Sequence, residues 1–167
     1  RSRTMTKSPA KITPEDIKSV LEETWDLIIF ASGIDTPKDN SVEEVLSHQN
    51  DVTKLYLFLL QGILKNARAT KKLVCVTCDV FADEAEIHEE VGVGLVTCAN
   101  LFGLSNSSRL EIDFPLHFID TEWALMEENV PLLASEIFRT TTFGKNAVRI
   151  LNSGRFVLRQ MPATPYE

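Results

Sequence analysis

Positive charge is the first thing this sequence is short of. Its 17 Lys and Arg stand against 24 Asp and Glu, for a formal net charge of −7. Nucleic acids and anionic membrane surfaces require a basic face. The only basic cluster, Arg1, Arg3, Lys7 and Lys11, lies in an opening segment that also holds Ser, Thr and Pro, and without it 13 bases face 24 acids. Both kinds of polyanion are therefore disfavoured as partners. Long apolar runs are missing too: the greasiest stretch, Leu55 to Leu64, is interrupted by Gln61 and Gly62, well short of the roughly 20 residues of a membrane helix. The opening residues lack the apolar core of a signal peptide and read, over residues 1–11, as a linker or tail; with Arg first, the chain is expected to be a piece of something larger. Cysteine is sparse, and 3 residues without dense spacing fit a reducing, cytoplasmic compartment.

The common catalytic signatures are also absent. No G-x-x-x-x-G-K-[ST] phosphate loop occurs, and Gly92-Val93-Gly94 fails as a dinucleotide fingerprint because Thr97 stands at the third glycine position and an acidic stretch precedes it. A short-chain dehydrogenase needs Tyr with Lys four residues on; Tyr56 is followed by Leu57, Phe58, Leu59 and Leu60, and Tyr166 is next to last. Cys75-Val76-Thr77-Cys78 has C-x-x-C spacing, but on a strand positions three apart point to opposite faces and cannot share a metal. Cys75 and Cys98 read as packing residues. His48, His88 and His117 are scattered, with no second ligand at helical spacing, and no G-x-S-x-G elbow is found. Glu22-Glu23 and Glu127-Glu128 read as solvated acids. Only Arg149, Arg155 and Arg159 form a tempting set, which could meet a phosphate or an acidic partner. The balancing reading is an exposed strand face neutralised by nearby acids. No catalytic, cofactor or metal residue is assigned.

What is present is the makeup of one globular domain. Of 167 residues, 44% are hydrophobic, and a chain of this size buries roughly 70% of its unfolded surface. Thr13-Pro14-Glu15-Asp16 starts a short helix ending near Glu23. Trp25 to Ala31 reads as a strand covered on both faces, followed by a polar loop at Asp35 to Asn40. Val42, Val45 and Leu46 suggest one helical turn, and Val52 to Leu64 a buried helix. Leu73 to Thr77 is a second buried strand, and Asp79 to Glu90 an acidic, solvated loop or loose helix face. Gly94 to about Glu111 reads as a helix, within an apolar stretch whose Gly92, Gly94, Ala99 and Gly103 permit close packing. Phe114 to Asp120 is a third strand, Pro131 to Phe138 a helix, and Ala147 to Gln160 a hairpin around Asn152-Ser153-Gly154. Strands alternating with helices imply a truncated Rossmann-like α/β fold, mostly parallel, flanked by helices and closed by a C-terminal β-hairpin.

The order of these segments resembles the structural subdomain of a polyketide synthase ketoreductase. Trp25-Asp26-Leu27-Ile28-Ile29-Phe30, Leu59-Leu60-Gln61-Gly62-Ile63-Leu64 and Leu73-Val74-Cys75-Val76-Thr77 are similar to three consecutive elements of it. Gly103-Leu104 with Arg109-Leu110-Glu111 resembles its "GLGR…RLE" helix, Phe118-Ile119-Asp120 its "LIDLD" strand, and Ala147-Val148-Arg149 with Gly154-Arg155-Phe156-Val157-Leu158-Arg159 its closing strands. The likeness covers Ile12 to Gln160. It departs at Ser105-Asn106, where the family has Gly-Arg, and at Glu111-Ile112-Asp113-Phe114-Pro115.

The resemblance implies a non-catalytic half of a duplicated short-chain dehydrogenase, as also found in animal-type fatty acid synthases. NADPH and the Ser, Tyr and Lys machinery belong to a catalytic subdomain expected in the same polypeptide beyond Glu167, opening with a strand and a G-x-G-x-x-G. That half would reduce β-ketoacyl-carrier-protein intermediates. Candidate contacts between the halves are Gly103, Arg109, Glu111, Arg149, Arg155 and Arg159, and further partners are the acyl carrier protein and adjacent synthase domains. Two other readings remain open: a small Rossmann-like reductase or transferase using strand-end loops such as Ser32-Gly33 or Thr77-Cys78-Asp79, and an acidic interaction module.

Overall fold

A computed structural model describes residues 2–35, 37–66, 68–81, 89–111, 115–122, 126–139 and 147–157, with the backbone alone at 89–95 and 126. Helix α1 (Pro14–Leu21) opens on a reciprocal cap: the Thr13 side chain accepts from the Asp16 amide, while the Asp16 carboxylate accepts from the Thr13 amide. Ahead of it, the segment expected as a linker runs along α1. Lys7 pairs with Asp16 at 2.9 Å, Arg3 reaches Ser19, and Pro9 is buried in a single 3-10 turn, Pro9–Lys11.

Strand β1 (Ile28–Gly33) is followed by α2 (Val42–Lys65), β2 (Leu73–Cys78), α3 (Glu89–Ser108), β3 (Leu116–Thr121), α4 (Met126–Ile137), β4 (Val148–Leu151) and β5 (Gly154–Val157). The five strands lie in chain order. β1 to β4 are parallel and β5 returns antiparallel. This is the α/β, mostly parallel architecture that the alternation of apolar segments implies.

Several local expectations are corrected. The turn at Val42 to Leu46 and the helix from Val52 are one 24-residue helix, because Ser41 caps it and none of the polar residues between, Ser47 to Asp51, is fully buried. β1 starts three residues later than expected and is not covered on both faces. It is an edge strand, with Ile29 44% exposed, while Trp25 makes only an isolated bridge to Thr70. α3 starts at Glu89, ahead of the expected Gly94. α4 likewise starts ahead of Pro131, which sits inside the helix, where the bond from residue 131 to the Glu127 carbonyl is lost. The hairpin is as expected: Gly154, at φ 136°, takes a backbone conformation open to glycine.

Two cores flank the sheet. Phe30, Leu73, Cys75, Leu116, Phe118 and Ala147 pack under α1, α2 and α3, while Val74, Val76, Ile119, Val148 and Ile150 pack under Ile137 and Leu133 of α4. Since the parallel strands follow chain order, a helix on the opposite face reverses its connection: β3–α4–β4 has the hand opposite to the two crossovers before it, so not all three are of the common right-handed type. α4 is held there by polar contacts. Lys72 Nζ donates to the Ile137 and Arg139 carbonyls at 2.7 and 2.9 Å, and Glu136 reaches β3 and β5.

Close packing between α1 and α2 rests on Gly62, where an added Cβ would run into Leu21 Cδ1. Gly103, expected to permit close packing, has open space where its Cβ would be. Gly92 and Gly94 lie on the α3 backbone, with surroundings outside the described side chains.

Candidate functional site

In open α/β sheets, sites form beyond the carboxyl ends of the parallel strands. Here β2 ends in Thr77-Cys78 with Asp79 just beyond, β3 ends in Asp120-Thr121, and Arg149 lies within the four-residue β4. Register places Thr77 beside Asp120 and Asp120 beside Arg149, all on the α2/α3 face. Asp120 is fully buried. Its Oδ1 accepts from the Thr77 hydroxyl at 2.7 Å and the Val80 amide at 3.0 Å, and its Oδ2 accepts from the Phe81 amide at 3.2 Å. Arg149 Nε lies 3.6 Å from the same Oδ2, and Arg149 Nη2 lies 4.0 Å from Asp79 Oδ1.

Burial pushes the Asp120 carboxyl up to about 6, although the Thr77, Val80 and Phe81 hydrogen bonds and the Arg149 charge act in the other direction. Asp79 carries a positive φ of 55°, and its amide donates to the Thr121 carbonyl at 2.9 Å. It is buried, which corrects the expectation of a solvated stretch beginning at Asp79. Its backbone turn lets Val80 and Phe81 aim their amides at Asp120. A perturbed carboxyl beside a strained residue at strand ends is a common mark of function, yet every Asp120 oxygen is already engaged. The arrangement clamps the β2–α3 turn onto β3 and β4.

The other strand-end loop tells a different story. An added Cβ at Gly33 would lie 2.5 Å from the Val76 carbonyl and 2.7 Å from Thr77 Cγ2, so this glycine serves the approach of β1 to β2. The connection from Gly33 to α2 contains no further glycine, and around the helix start stand Asp35, Asp39, Glu43 and Glu44, against Lys38 alone. A helix amino terminus favours anions; this one is already supplied with carboxylates. Asp39 is held below the usual carboxylate range by its hydrogen bonds from Ser41, which keeps the charge in place.

A second polar centre lies on the α4 face. Glu136 is 2% exposed and accepts from Arg155 Nε at 2.7 Å and Nη2 at 3.0 Å, meets His117 Nε2 at 2.8 Å, and has Arg139 Nε at 3.2 Å. Burial alone would raise its pKa, but the bonds from Arg155 and His117 outweigh that and lower it. The His117 imidazole is lowered, chiefly by burial, with Glu136 pulling the other way.

The expected contact residues do not converge. Arg149 is turned inward toward Asp120, whereas Arg155, paired in register with Ile150, projects from the opposite face toward Glu136. Arg109 is tied down by its bonds to the Leu116 carbonyl and Asn106 Oδ1 at 3.1 and 2.7 Å. Gly103 and Glu111 are exposed, and Arg159 and His88 lie outside the described residues. Cys75 is in the core under α2 and α3, three strand positions from Cys78 and therefore on the opposite face, and all three cysteines are free, their thiols pushed up by burial. Among the described residues no group of three or more His, Cys, Asp or Glu could hold a metal ion, and no helix is long and apolar enough to cross a membrane.

Asp120 and Glu136 carry the two centres, and residue-by-residue reading assigned neither. Each had a signal: a lone acid inside an apolar strand, and a lone acid between Leu132-Leu133 and Ile137 on a helix. Against protein-family models, curated proteins and solved structures, the chain shows no significant match.

Proposed function

We propose that this chain is the non-catalytic half of a two-part ketoreductase of the polyketide synthase or animal-type fatty acid synthase kind. It scaffolds an NADPH-dependent catalytic half that reduces β-ketoacyl-carrier-protein intermediates. The observation that carries this reading is the start of α2, where a Rossmann-like fold would receive a pyrophosphate and this chain has Asp35, Asp39, Glu43 and Glu44 without a glycine-rich turn. The α/β, mostly parallel fold class is compatible with this reading. The scaffold acts by preorganisation, since a catalytic half works only when its active-site elements are held near their productive geometry. Gly103, with open space at its Cβ on α3, and Glu111 just past the end of α3, both exposed, are the contact candidates best placed for this purpose.

Calorimetric titration of the chain with NADPH tests the reading: heats should equal those of dilution, and co-expression with the catalytic half should raise the soluble yield of both. Saturable micromolar binding would overturn it. A second reading, a small α/β reductase or transferase working at the strand ends, is favoured by the raised carboxyl of Asp120 beside the strained Asp79. Turnover of a ketone by the chain alone, lost in Asp120→Asn, would establish that reading instead.

A further inference from the structure

Positive charge is scarce in this chain, yet three permanent cations meet at the carboxyl end of α4. Glu136 serves both Arg155 and Arg139, and Lys72 Nζ lies on the last carbonyls of the helix. Among the described residues, one carboxylate, Glu136, meets these three and leaves an excess of positive charge, of which the helix terminus offsets about half a unit. The two guanidiniums approach the same oxygen, Glu136 Oε2, at 2.7 and 3.2 Å, so they lie side by side, Arg155 from β5 and Arg139 from just past the end of α4. Their side chains are 35% and 47% exposed. Arg155 commits Nε and Nη2 to Glu136 and Arg139 its Nε; the remaining guanidinium nitrogens have no partner among the described residues. Phe138, which precedes Arg139 in the chain, is 70% exposed, a large apolar side chain left in water.

We propose that Arg139, Arg155 and Phe138 form a docking surface for an acidic amphipathic helix of a partner protein. Its carboxylates take the outward guanidinium nitrogens in charge-assisted pairs, and an apolar side chain on the same helix face covers Phe138. Charge complementarity selects this occupant. With a net charge of −7 on the whole chain, a polyanion wider than the patch meets repulsion within about one Debye length, roughly 8 Å. A free anion would leave Phe138 uncovered. Glu136 also prepares the surface in advance, because it fixes both guanidiniums and so lowers the entropy lost on docking. This inference stands on the patch alone and does not depend on the ketoreductase reading.

The test is a titration of the 167-residue chain, labelled for amide spectra, with a synthetic amphipathic helical peptide bearing Glu and Leu on one face, and with its Gln counterpart. The acidic peptide should shift the amides of Lys72, Glu136 to Arg139, and Arg155 to Phe156. Its affinity should fall about tenfold in Arg139→Glu, and similarly in Phe138→Ser, and should weaken with added salt. Both positions are exposed, and unchanged spectra elsewhere verify that the variants fold. Equal binding of the Gln counterpart, equal binding by both variants, or no binding overturns the proposal. Saturation of the same shifts by inorganic phosphate, or Arg139-dependent sedimentation with phosphatidylserine vesicles, puts a free anion or a membrane in place of the acidic helix and overturns it too.

Discussion

Asp120 and Arg149 are register partners on adjacent parallel strands, and their side chains meet on one face, Arg149 Nε to Asp120 Oδ2 at 3.6 Å. The guanidinium does not make Asp120 an easy carboxylate, because burial dominates and holds its pKa at about 6. In the unfolded chain the same group titrates near its ordinary value. Between roughly pH 4 and 6 the folded state therefore binds the extra proton, and stability contributed by Asp120 is lost as pH rises through that window. The full contribution is on the order of 3 kcal/mol. His117, lowered by burial, acts oppositely and loses stability as pH falls through its ordinary value. Asp120→Asn separates the two. Urea unfolding of both proteins should favour the wild type more at pH 4 than at pH 7 by about 2 kcal/mol, since at pH 4 the unfolded group is already partly ionised; a pH-independent difference would count against a raised Asp120.

Glu136 ties α4 to β3 and β5 through a buried carboxylate. Glu136→Ala should cost about 2 kcal/mol in chemical unfolding, since Arg155 can turn to water but His117 cannot do so freely. It should also drop the His117 pKa further, because the one group raising it by hydrogen bond is gone. Imidazole titration by NMR reads this directly, and an unmoved His117 would show that the pair is not formed in solution.

The two glycines Gly62 and Gly103 should respond in opposite directions to the same change. At Gly62 a methyl group meets Leu21, and overpacking of 1–3 kcal/mol, roughly, exceeds the helix propensity gained. At Gly103 the space is open, and Gly103→Ala should stabilise the chain by about 1 kcal/mol. If α3 contacts a catalytic half at this point, Gly103→Ala should lower co-purification with that half while raising the thermal midpoint of the chain alone.

Tyr56 on α2 and Ser105 on α3 share a buried hydrogen bond of 2.7 Å. Tyr56→Phe strands the serine hydroxyl and should cost about 1–2 kcal/mol, whereas Tyr56→Phe with Ser105→Ala should recover part of the loss. Thermal unfolding of the four proteins of this cycle decides it, and strict additivity would mean the bond contributes nothing.

Much of the architecture was determined by the sequence alone, because hydrophobic patterning acts locally: short apolar runs, β-branched in β2, wrote β2 and β3, a capped apolar stripe wrote α1, and Asn-Ser-Gly wrote the final hairpin. The alternation of side chains along a strand sends Cys75 and Cys78 to opposite faces, away from any shared metal. Tertiary structure decided what periodicity cannot encode. Whether β1 lies at an edge, and which face α4 covers, depends on neighbours distant in the chain, so Ile29 and Pro131 misled where Leu73 did not. The charges depended on it most. Asp79 belonged by composition to a solvated acidic run, and Arg149 and Arg155 to one basic set; only strand register buried the first and sent the two arginines to opposite sides of the sheet, each toward its own carboxylate.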